Sequence, residues 1–567
     1  MIVTHENFTD RHVILRDFDD GGLTAGRRFI YLYLPEGYAE SEAHYPVVYF
    51  NDGENTFSGG RARMDVDLAY DSLIEDGLIQ PAIFVGIGII DVAGRFMDFT
   101  PTVRGCQYPV RPPGGGLHGY YRFLSERLKP YIDAHYRTKP EPASTGIAGY
   151  SLGGLAAFLM AYEHPETFGM AGCMSSSLAW DDDYALRMVQ DDTGGKKPVR
   201  FWLDGGGSGE YHVWQITARA YGLLEQRGWQ AGDDLAAYFD YPAGHLFPAA
   251  AGRMRQMLYF LLRKEPLRLE QYRLVYTADP TAPVMDLNTG HRRIVGAEAW
   301  YAGGLRLTVP RPDITIADTA VVKRDASEPL LLHAVGAGET VISSSYQGHS
   351  ASLRVISYDP AVWPQYRMCP RNEGAAPRVD ADADSWASLP YTICLDGQTT
   401  VVRFGVSYDT AYMHIAATLR GSLPITEPDK TPDTPTGIEF RFDARPESYL
   451  CKGDGYTTAD QFLEVCITPG KADRQSEMFH YDLDEWGPVV PEEILSASAP
   501  VSDGHQMTLS IPTSYIDEMQ GGPWEVFRLN IGVNTRGAVD NSLTQTWWQP
   551  DWPTFPCPVG AGLFRKG

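Results

Sequence analysis

The feature that most constrains this chain is an apolar run that leads into a glycine-flanked serine and then into an apolar helix. Residues 149 to 153 read Gly-Tyr-Ser-Leu-Gly, which has the form G-x-S-x-G. The run that ends at Ala148 is typical of a buried strand, and residues 154–162 have the small, apolar side chains of a packed helix. A serine at such a sharp turn has a strained backbone, and the flanking glycines let strand and helix approach each other. The pattern predicts that Ser151 is a nucleophile, with the N-terminus of the following helix beside a developing oxyanion.

Strands and helices alternate around this motif. Such alternation predicts a mostly parallel α/β sheet with helices on both faces, and functional residues at the carboxyl ends of its strands. The runs typical of strands are 28–35, 45–51, 81–88, 168–175, 199–203 and 235–241, and those typical of helices are 67–75, 120–136, 213–227 and 249–263.

The order of polar residues after the serine fits an α/β-hydrolase, in which an acid and then a histidine follow later strands. His245 comes just after the last predicted strand and is the candidate base for Ser151, although an ordinary loop histidine is the alternative. Asp204 and Glu210 follow the penultimate strand, and the residues alone leave the choice of acid open. The oxyanion hole needs two N–H groups, one from Leu152 and one from the turn at residues 51–53, where Asp52 is the candidate.

Composition bounds the partners and the compartment. A chain of 567 residues is too long for one core, so two to four domains are expected, and a net charge of −24 argues against a nucleic-acid partner. No apolar run is long enough to span a bilayer, so no membrane partner is expected. The seven cysteines form no C-x-x-C motif, and we expect neither a zinc site nor a cofactor. The N-terminus has no pattern of a signal peptide, which predicts a cytoplasmic protein, or a secreted one whose leader has been removed.

Several further motifs between residues 28 and 262 resemble those of one branch of the α/β-hydrolases. Residues 45–55 resemble its P-V-L-Y-x-x-D-G-x-N signature, and residues 95–101 its R-x-x-[ED]-[YF]-T-P loop. Residues 123–138 resemble its F-L-x-x-E-L-x-P-x-I-D…Y-R-T helix. With the serine motif, this stretch is similar to the esterase branch that includes feruloyl, acetyl-xylan and enterochelin esterases and esterase D.

The resemblance implies a serine esterase and favours one of the two acids. The branch carries its acid in a G-x-x-[ED] loop, which corresponds to residues 207–210 and therefore favours Glu210, with Asp204 as the alternative. Arg95 in the loop motif and Tyr150 in the serine motif are the candidate substrate-binding residues. The glycine-rich run 205–209 is longer than usual, and Leu-Phe follows His245 in place of the frequent Asp-Trp, which implies a different acyl pocket.

The rest of the chain loses the alternation of strands and helices. Short strands between turns predict a β-sandwich over residues 266–358, where residues 333–342 resemble bacterial Ig-like domains and imply a spacer. Half-buried strand patterns continue over residues 366–567, which resemble a family 9-like carbohydrate-binding (DOMON-like) β-sandwich. We therefore predict three modules, an esterase domain at 1–265 and two β-sandwiches.

Aromatic and acidic clusters in the last module are candidate ligand sites. Trp547, Trp548 and Trp552 are candidates for stacking on sugar rings, with a place in the core as the alternative. The aspartates at 380, 382 and 384 have the oxygen ligands that calcium uses, but an acidic surface turn is favoured, and no metal is expected.

These observations predict a carboxylic-ester hydrolase that removes feruloyl or acetyl groups from a plant polysaccharide through an acyl-enzyme. The alternatives are an esterase of a siderophore or another small ester, and a catalytically silent carbohydrate-binding protein. The predicted partner is an ester-bearing carbohydrate or small ester, and the sequence leaves the oligomeric state open.

Overall fold

A computed structural model describes most of the chain and divides it into two compact units. Unit 1 comprises Met1–Leu287 and Arg293–Ser357, and unit 2 comprises Asn288–Arg292 and Tyr358–Gly567. The residues that the structure describes are 4–7, 10–24, 26–58, 63–103, 114–206, 211–240, 247–277, 283–289, 292–326, 330–359, 367–372, 389–394, 401–420, 437–444, 463–467, 476–479, 493–501, 504–536, 543–548 and 562–567.

The first part of unit 1 is an α/β structure. Its strands are β1 (Thr4–Asn7), β2 (His12–Phe18), β3 (Arg28–Tyr33), β4 (Val47–Asn51), β5 (Ile83–Ile87), β6 (Thr145–Tyr150), β7 (Met170–Met174), β8 (Arg200–Gly206) and β9 (Leu235–Asp240). Its helices are α1 (Val66–Glu75), α2 (Val92–Phe99), α3 (Leu117–Phe123), α4 (Lys129–His135), α5 (Leu152–Glu163), α6 (Trp180–Asp191), α7 (Tyr211–Gln226) and α8 (Phe247–Leu262).

The strands lie in the order β1-β2-β3-β5-β4-β6-β7-β8-β9, and from β5 to β9 every pairing is parallel. Parallel strands are covered on both faces, and alternate residues of β4 show this: Val47 and Tyr49 pack with α3 to α7, whereas Val48 and Phe50 pack with α1 and α8. The predicted parallel sheet with helices on both faces is confirmed for this part. Because these strands run the same way, β4, β6, β7, β8 and β9 all end at one edge.

Residues after 265 continue unit 1 as a β-rich segment. Its strands are β10 (Leu269–Tyr276), β11 (Val284–Asn288), β12 (Arg292–Tyr301), β13 (Leu305–Thr308), β14 (Ile314–Ile316), β15 (Val322–Arg324), β16 (Leu331–Ala334), β17 (Gly338–Tyr346) and β18 (His349–Tyr358). β13 pairs with β9 and extends the α/β sheet through β12, β16 and β15, while β11, β18, β17 and β14 form a separate four-stranded sheet. Leu305 and Leu307 share a hydrophobic core with Trp202 and Met257 of the α/β part. The predicted boundary at residue 265 falls inside unit 1, and the division of the chain into an esterase domain and two β-sandwiches stays a prediction.

Unit 2 is built from two sheets around its own core. Its elements are β19 (Arg367–Cys369), β20 (Tyr391–Cys394), β21 (Val401–Tyr408), β22 (Tyr412–Arg420), β23 (Gly437–Asp443), β24 (Leu463–Ile467), β25 (Ser476–Phe479), β26 (Leu495–Val501), β27 (Gly504–Pro512), α9 (Thr513–Gln520), β28 (Val526–Arg536), β29 (Leu543–Trp547) and β30 (Gly562–Lys566). Seven strands around β28 form one sheet, and β20, β21, β22, β27 and β26 form the other. Side chains of both sheets, such as Phe440 and Ile415, share one buried cluster. This arrangement is consistent with the predicted β-sandwich.

Candidate active site

Ser151 lies at the turn between β6 and α5, in a backbone conformation that residues other than glycine rarely adopt. Its φ is 58° and its ψ is −119°. Three main-chain hydrogen bonds hold this conformation: the Ser151 N–H donates to Met174 O at 3.0 Å, and the Ser151 carbonyl accepts from Leu155 at 3.0 Å and from Ser177 at 3.1 Å. Such a strained residue persists only where its surroundings fix it, and it is a common feature of functional sites.

The glycines of the serine motif are required by close packing. A Cβ atom at Gly149 would lie 2.5 Å from the backbone of Gly153, and one at Gly153 would lie 3.0 Å from Asn51 Cβ. Neither position has room for a side chain without displacing backbone. Both glycines therefore let β6, α5 and the end of β4 meet directly beneath Ser151.

Backbone donors lie on either side of the serine. Leu152 is the first residue of α5, so its N–H is one of the first-turn groups that lack an acceptor within a helix. On the neighbouring strand, β4 ends at Asn51 and is followed by Asp52 in the left-handed conformation, with φ 60° and ψ 53°. The side-chain Nδ2 of Asn51 donates to Gly153 O at 2.7 Å, and its Oδ1 accepts from the Tyr120 hydroxyl at 2.8 Å. Asn51 thereby ties the turn that holds Asp52 to the first turn of α5.

Arg95 holds the Asp52 turn from α2. Its Nε donates to Asp52 Oδ1 at 2.6 Å, its Nη2 donates to Asp52 Oδ2 at 2.9 Å, and Nη2 also reaches Tyr150 O at 3.3 Å. Burial opposes the charged guanidinium, but the attraction of Asp52 outweighs it and raises the pKa of Arg95 above its ordinary value. Burial, and then the charge of Asp52, raise the pKa of the neighbouring Glu54 carboxyl as well. Arg95, a predicted substrate-binding residue, thus donates its described hydrogen bonds to Asp52 and to the Tyr150 carbonyl, and its guanidinium also lies 5.5 Å from the centre of the Phe99 ring.

Tyr150, the other predicted substrate-binding residue of this region, is a packing residue in the structure. Its side chain is buried at 3% exposure among the core residues of the α1 and α8 face. Its ring lies 5.0 Å from that of Phe247, the first residue of α8. This contact brings the start of α8 to the strand that carries Ser151.

Ser177 is a site residue that the sequence analysis did not identify. Its hydroxyl shares a hydrogen bond of 3.3 Å with the hydroxyl of Ser151, and its N–H donates to Ser151 O. Ser177 follows β7, the parallel strand next to β6. The available signal was the serine run 175–177 directly after a predicted strand, since polar residues there lie at the functional edge.

Asp204, the alternative acid, lies inside β8 and is fully buried. Its Oδ1 accepts from Ser175 N–H at 3.0 Å and from Arg253 Nε at 3.1 Å, while its Oδ2 accepts from Trp202 Nε1 at 2.8 Å. Arg253 belongs to α8 and is itself fully buried, and its Nη2 donates to Ser175 Oγ at 2.7 Å. The Asp204 carboxylate therefore anchors α8 to the strand ends of β7 and β8.

The predicted acid Glu210 and the predicted base His245 lie outside the described residues, but the ends of both loops are described. Gly206, the last residue of β8, is the direct partner of Asp240, the last residue of β9. The loops that contain Glu210 and His245 therefore start from adjacent positions at the functional edge of the sheet.

The tryptophans and the acidic cluster of the last module have mixed outcomes. Trp548 packs against Phe404 at 4.8 Å and Tyr391 at 5.1 Å beside the core of unit 2, which agrees with the core alternative for this residue. Trp547 ends β29, but its side chain, like Trp552 and the aspartates at 380, 382 and 384, lies outside the described residues.

Within the described ranges, no group of three histidine, cysteine or carboxylate side chains is arranged to hold a metal ion. No helix of the described ranges has the length and apolar character needed to cross a membrane.

The first part of the chain is similar to known esterases. Residues 23–238 match the family model described as "Putative esterase". The chain is 29% identical to ferri-bacillibactin esterase BesA of Bacillus subtilis over 198 residues, which are 32% of this chain and 67% of that protein. It is 31% identical over 156 residues to an endo-1,4-beta-xylanase/feruloyl esterase of Xylanibacter ruminicola, which are 25% of this chain and 19% of that protein.

A solved structure, described as the BES protein from Bacillus cereus, covers 46% of this chain and 99% of its own length. It has 21% sequence identity and a TM-score of 0.38. Residues 23–238 thus match an esterase family model, and the parallel sheet and the Ser151 turn give this part of the chain an α/β-hydrolase-like fold.

Proposed function

We propose that this protein is a serine carboxylic-ester hydrolase in which Ser151 is the nucleophile. The observation that carries the proposal is the strained backbone of Ser151, at φ 58°, with the first turn of α5 on one side and the Asp52 turn on the other. A hydroxyl at such a turn, beside the first turn of a helix, supports this role, because acyl transfer requires a nucleophile with backbone N–H donors nearby.

The proposed reaction proceeds in two steps. Ser151 Oγ attacks the ester carbonyl carbon while His245 takes the serine proton, and the N–H groups of Leu152 and Asp52 stabilise the oxyanion. The C–O bond to the alcohol breaks, and His245 returns the proton to the leaving alcohol. Water then attacks the acyl-enzyme with His245 again as base, and the carboxylic acid and the free serine are released.

The assignment of His245 is supported by the described residues on both sides of its loop. Asp240 ends β9 at the same edge as Ser151, and Phe247, two residues after His245, packs against Tyr150. The loop that contains His245 therefore ends at a residue whose ring contacts the neighbour of the nucleophile.

The assignment of Glu210 as the acid is supported by the surroundings of Asp204. The Asp204 carboxylate already accepts three described hydrogen bonds, one of them from the buried guanidinium of Arg253. Glu210 follows the glycine-rich run after Gly206, from a strand end that pairs with the start of the histidine loop. Asp204 remains the alternative, and the paired variants described in the Discussion distinguish the two.

For the substrate, we propose a feruloyl or acetyl ester on a plant polysaccharide. One relative is named an endo-1,4-beta-xylanase/feruloyl esterase. The sequence of residues 366–567 resembles a family 9-like carbohydrate-binding module, which also favours a polysaccharide. The charge of the site agrees with a neutral ester, since the Arg95 guanidinium beside Tyr150 is already paired with Asp52. A second candidate is a siderophore ester, which is favoured by the name of the relative BesA.

The proposal is tested by pre-steady-state hydrolysis of nitrophenyl acetate. An acyl-enzyme that forms faster than it is hydrolysed releases a burst of nitrophenol, and we expect about one equivalent per chain. Absence of any hydrolysis would support a catalytically silent carbohydrate-binding protein instead. The kcat/KM values for methyl ferulate, acetylated xylan and a catecholate triester then decide the substrate class, and a clear preference for the triester would overturn the polysaccharide assignment.

A further inference from the structure

The loop that contains His245 joins β9 to α8, and both elements contact the β-rich segment that follows the esterase-like part. β9 is the last strand of the parallel series, and β13 pairs with it in antiparallel orientation, with Thr308 opposite Ala237. Without β13, the outer edge of β9 would present unpaired backbone groups to solvent. The contact with β13 completes the sheet at the strand from which the histidine loop begins.

The contacts with β9 lie at its carboxyl end, next to the histidine loop. The N–H of Phe239 donates to the Thr308 hydroxyl at 2.8 Å, and Thr308 is buried at 4% exposure. The Arg306 guanidinium donates to the Tyr238 hydroxyl and lies 5.0 Å from the centre of its ring. The Glu298 carboxylate, itself buried, lies 3.6 Å from Arg306. Both residues that β13 holds are therefore within two positions of the last residue of β9.

The same segment contacts α8, the element on the other side of the loop. The N–H of Arg306 donates to Gln256 Oε1 at 3.0 Å, and the Tyr259 hydroxyl donates to Ala302 O at 2.8 Å. Gly303 faces Tyr259 so closely, at φ +79°, that a Cβ atom there would lie 2.4 Å from the tyrosine oxygen. Residues 298–308 thus contact both elements from which the histidine loop is suspended.

We propose that residues 298–308 are a positioning platform for the histidine loop, and that Arg306 and Thr308 are its positioning residues. The inference rests on the proposed function, because it assigns the base to that loop. Neither residue is placed in contact with substrate: Thr308 and Arg306 fix the end of β9, Arg306 also holds α8 at Gln256, and through these two elements they position His245 relative to Ser151. Displacements of about 1 Å at a catalytic group are enough to lower the rate by roughly 10²-fold. The β-rich segment is accordingly a part of the catalytic unit.

The test uses two variants of the full chain and a conservative rescue. Thr308→Val keeps the shape but removes the acceptor of the Phe239 N–H, and Arg306→Lys keeps the charge but removes the planar group that lies over Tyr238. We expect kcat for nitrophenyl acetate to fall about 10- to 100-fold in Thr308→Val, with KM within about twofold. Thr308→Ser, which restores the hydroxyl, should have nearly the kcat of the wild type. Hydrogen exchange at the end of β9 should become faster in Thr308→Val.

The matched control is Arg354→Gln, which breaks the exposed ion pair between Arg354 and Glu339 on the β17–β18 hairpin of the same segment. Wild-type kcat is expected for this control. Wild-type kcat in both Thr308→Val and Arg306→Lys, or an equal loss in Arg354→Gln, would overturn the proposal. If Thr308→Val loses its circular dichroism, Arg306→Lys decides, and unfolding of both variants would overturn a positioning role in favour of a purely structural one. Full activity of Ser151→Ala would instead reject the proposed function, whereas an inactive Ser151→Ala with normal platform variants would reject only this inference.

Discussion

Two serines of this chain, one in each unit, differ in a way that separates a candidate nucleophile from a structural residue. In unit 2, Ser510, His414 and Asp409 form a continuous hydrogen-bonded line: His414 Nδ1 lies 2.8 Å from Ser510 Oγ, and His414 Nε2 lies 3.1 Å from Asp409 Oδ2. In unit 1, the described hydroxyl partner of Ser151 is another serine, Ser177, at 3.3 Å. By residue type alone, Ser510 has the more complete arrangement.

The backbone around each serine favours Ser151, and not Ser510, as the nucleophile. Ser510 lies inside β27, an interior strand of its sheet, with ladder partners His414 on β22 and Leu495 on β26. Its neighbouring N–H and C=O groups are used by the ladder and do not converge on the hydroxyl. His414 is buried at 3% exposure, so a substrate has no access to the imidazole. Ser151, by contrast, has a positive φ at the start of a helix. The comparison teaches that backbone donors and access, more than the three residue types, define a site for acyl transfer.

The largest expected effect separates the two serines directly. Ser151→Ala should lower kcat for nitrophenyl acetate by several orders of magnitude, since loss of a triad serine in subtilisin costs about 2 × 10⁶-fold. Ser510→Ala should leave kcat unchanged and affect only the stability of unit 2. Steady-state assays of both variants check this, and an active Ser151→Ala would break the comparison.

The second expected effect distinguishes the roles of Glu210 and Asp204 in unit 1. Glu210→Gln should lower kcat on the order of 10⁴-fold, because the imidazole loses the acceptor that fixes its tautomer. Asp204→Asn should keep most of its kcat but lower the free energy of unfolding by about 3–5 kcal/mol, because it removes the charge of a buried carboxylate that pairs with the Arg253 guanidinium. Urea unfolding followed by circular dichroism measures the second effect. The assignment must be exchanged if Asp204→Asn is inactive while folded and Glu210→Gln is nearly normal.

A third effect tests whether backbone donors define the site. Arg95→Gln should lower kcat by up to about 10²-fold with little change in KM, since the Asp52 turn loses the guanidinium that holds it. The control is Asp98→Asn on the same helix, which removes the partner of the buried Arg28 at 3.0 Å without touching the turn. Asp98→Asn should lower the melting temperature and leave kcat close to normal. Equal kcat losses in both variants would show that α2 acts only through its general docking.

The smallest expected effect is a pH dependence of the hydrogen-bonded residues Ser510, His414 and Asp409 in unit 2. Burial favours the neutral carboxyl of Asp409, but its bonds with His414 and with the N–H groups of Tyr412 and Ala411 outweigh it and lower the pKa of Asp409. A carboxyl whose pKa is lower in the folded state contributes stability above its unfolded pKa and loses it as the pH falls through the folded pKa. Acidification should therefore lower the protection of the β22 amides against hydrogen exchange, relative to their intrinsic rates at each pH, more in the wild type than in Asp409→Asn. The same exchange response in both chains would assign the acid sensitivity to other groups.

The sequence predicted the parallel sheet and the Ser151 turn because both depend on local patterns. The alternation of apolar strands and helices, and the glycines at 149 and 153, are visible along the chain. Contacts between distant segments were not predictable in this way. The Arg95–Asp52 pair joins residues 43 positions apart, and the hydrogen bond between Phe239 and Thr308 joins residues 69 positions apart. For the same reason the sequence could not show that β13 pairs with β9, because the short strands after residue 265 look alike whether they form their own sheet or extend another.

The central claim is that the backbone around Ser151, and not the residue types around Ser510, creates a reactive serine. It is tested most directly by treating the full chain with a fluorophosphonate, followed by intact-mass measurement and mapping of the modified peptide. Such a reagent phosphonylates a serine whose hydroxyl is activated and whose oxyanion donors are in place. We predict one adduct per chain, located on Ser151 and absent in Ser151→Ala. An adduct on Ser510, or an unmodified Ser151 in a folded and ester-hydrolysing protein, would contradict the account.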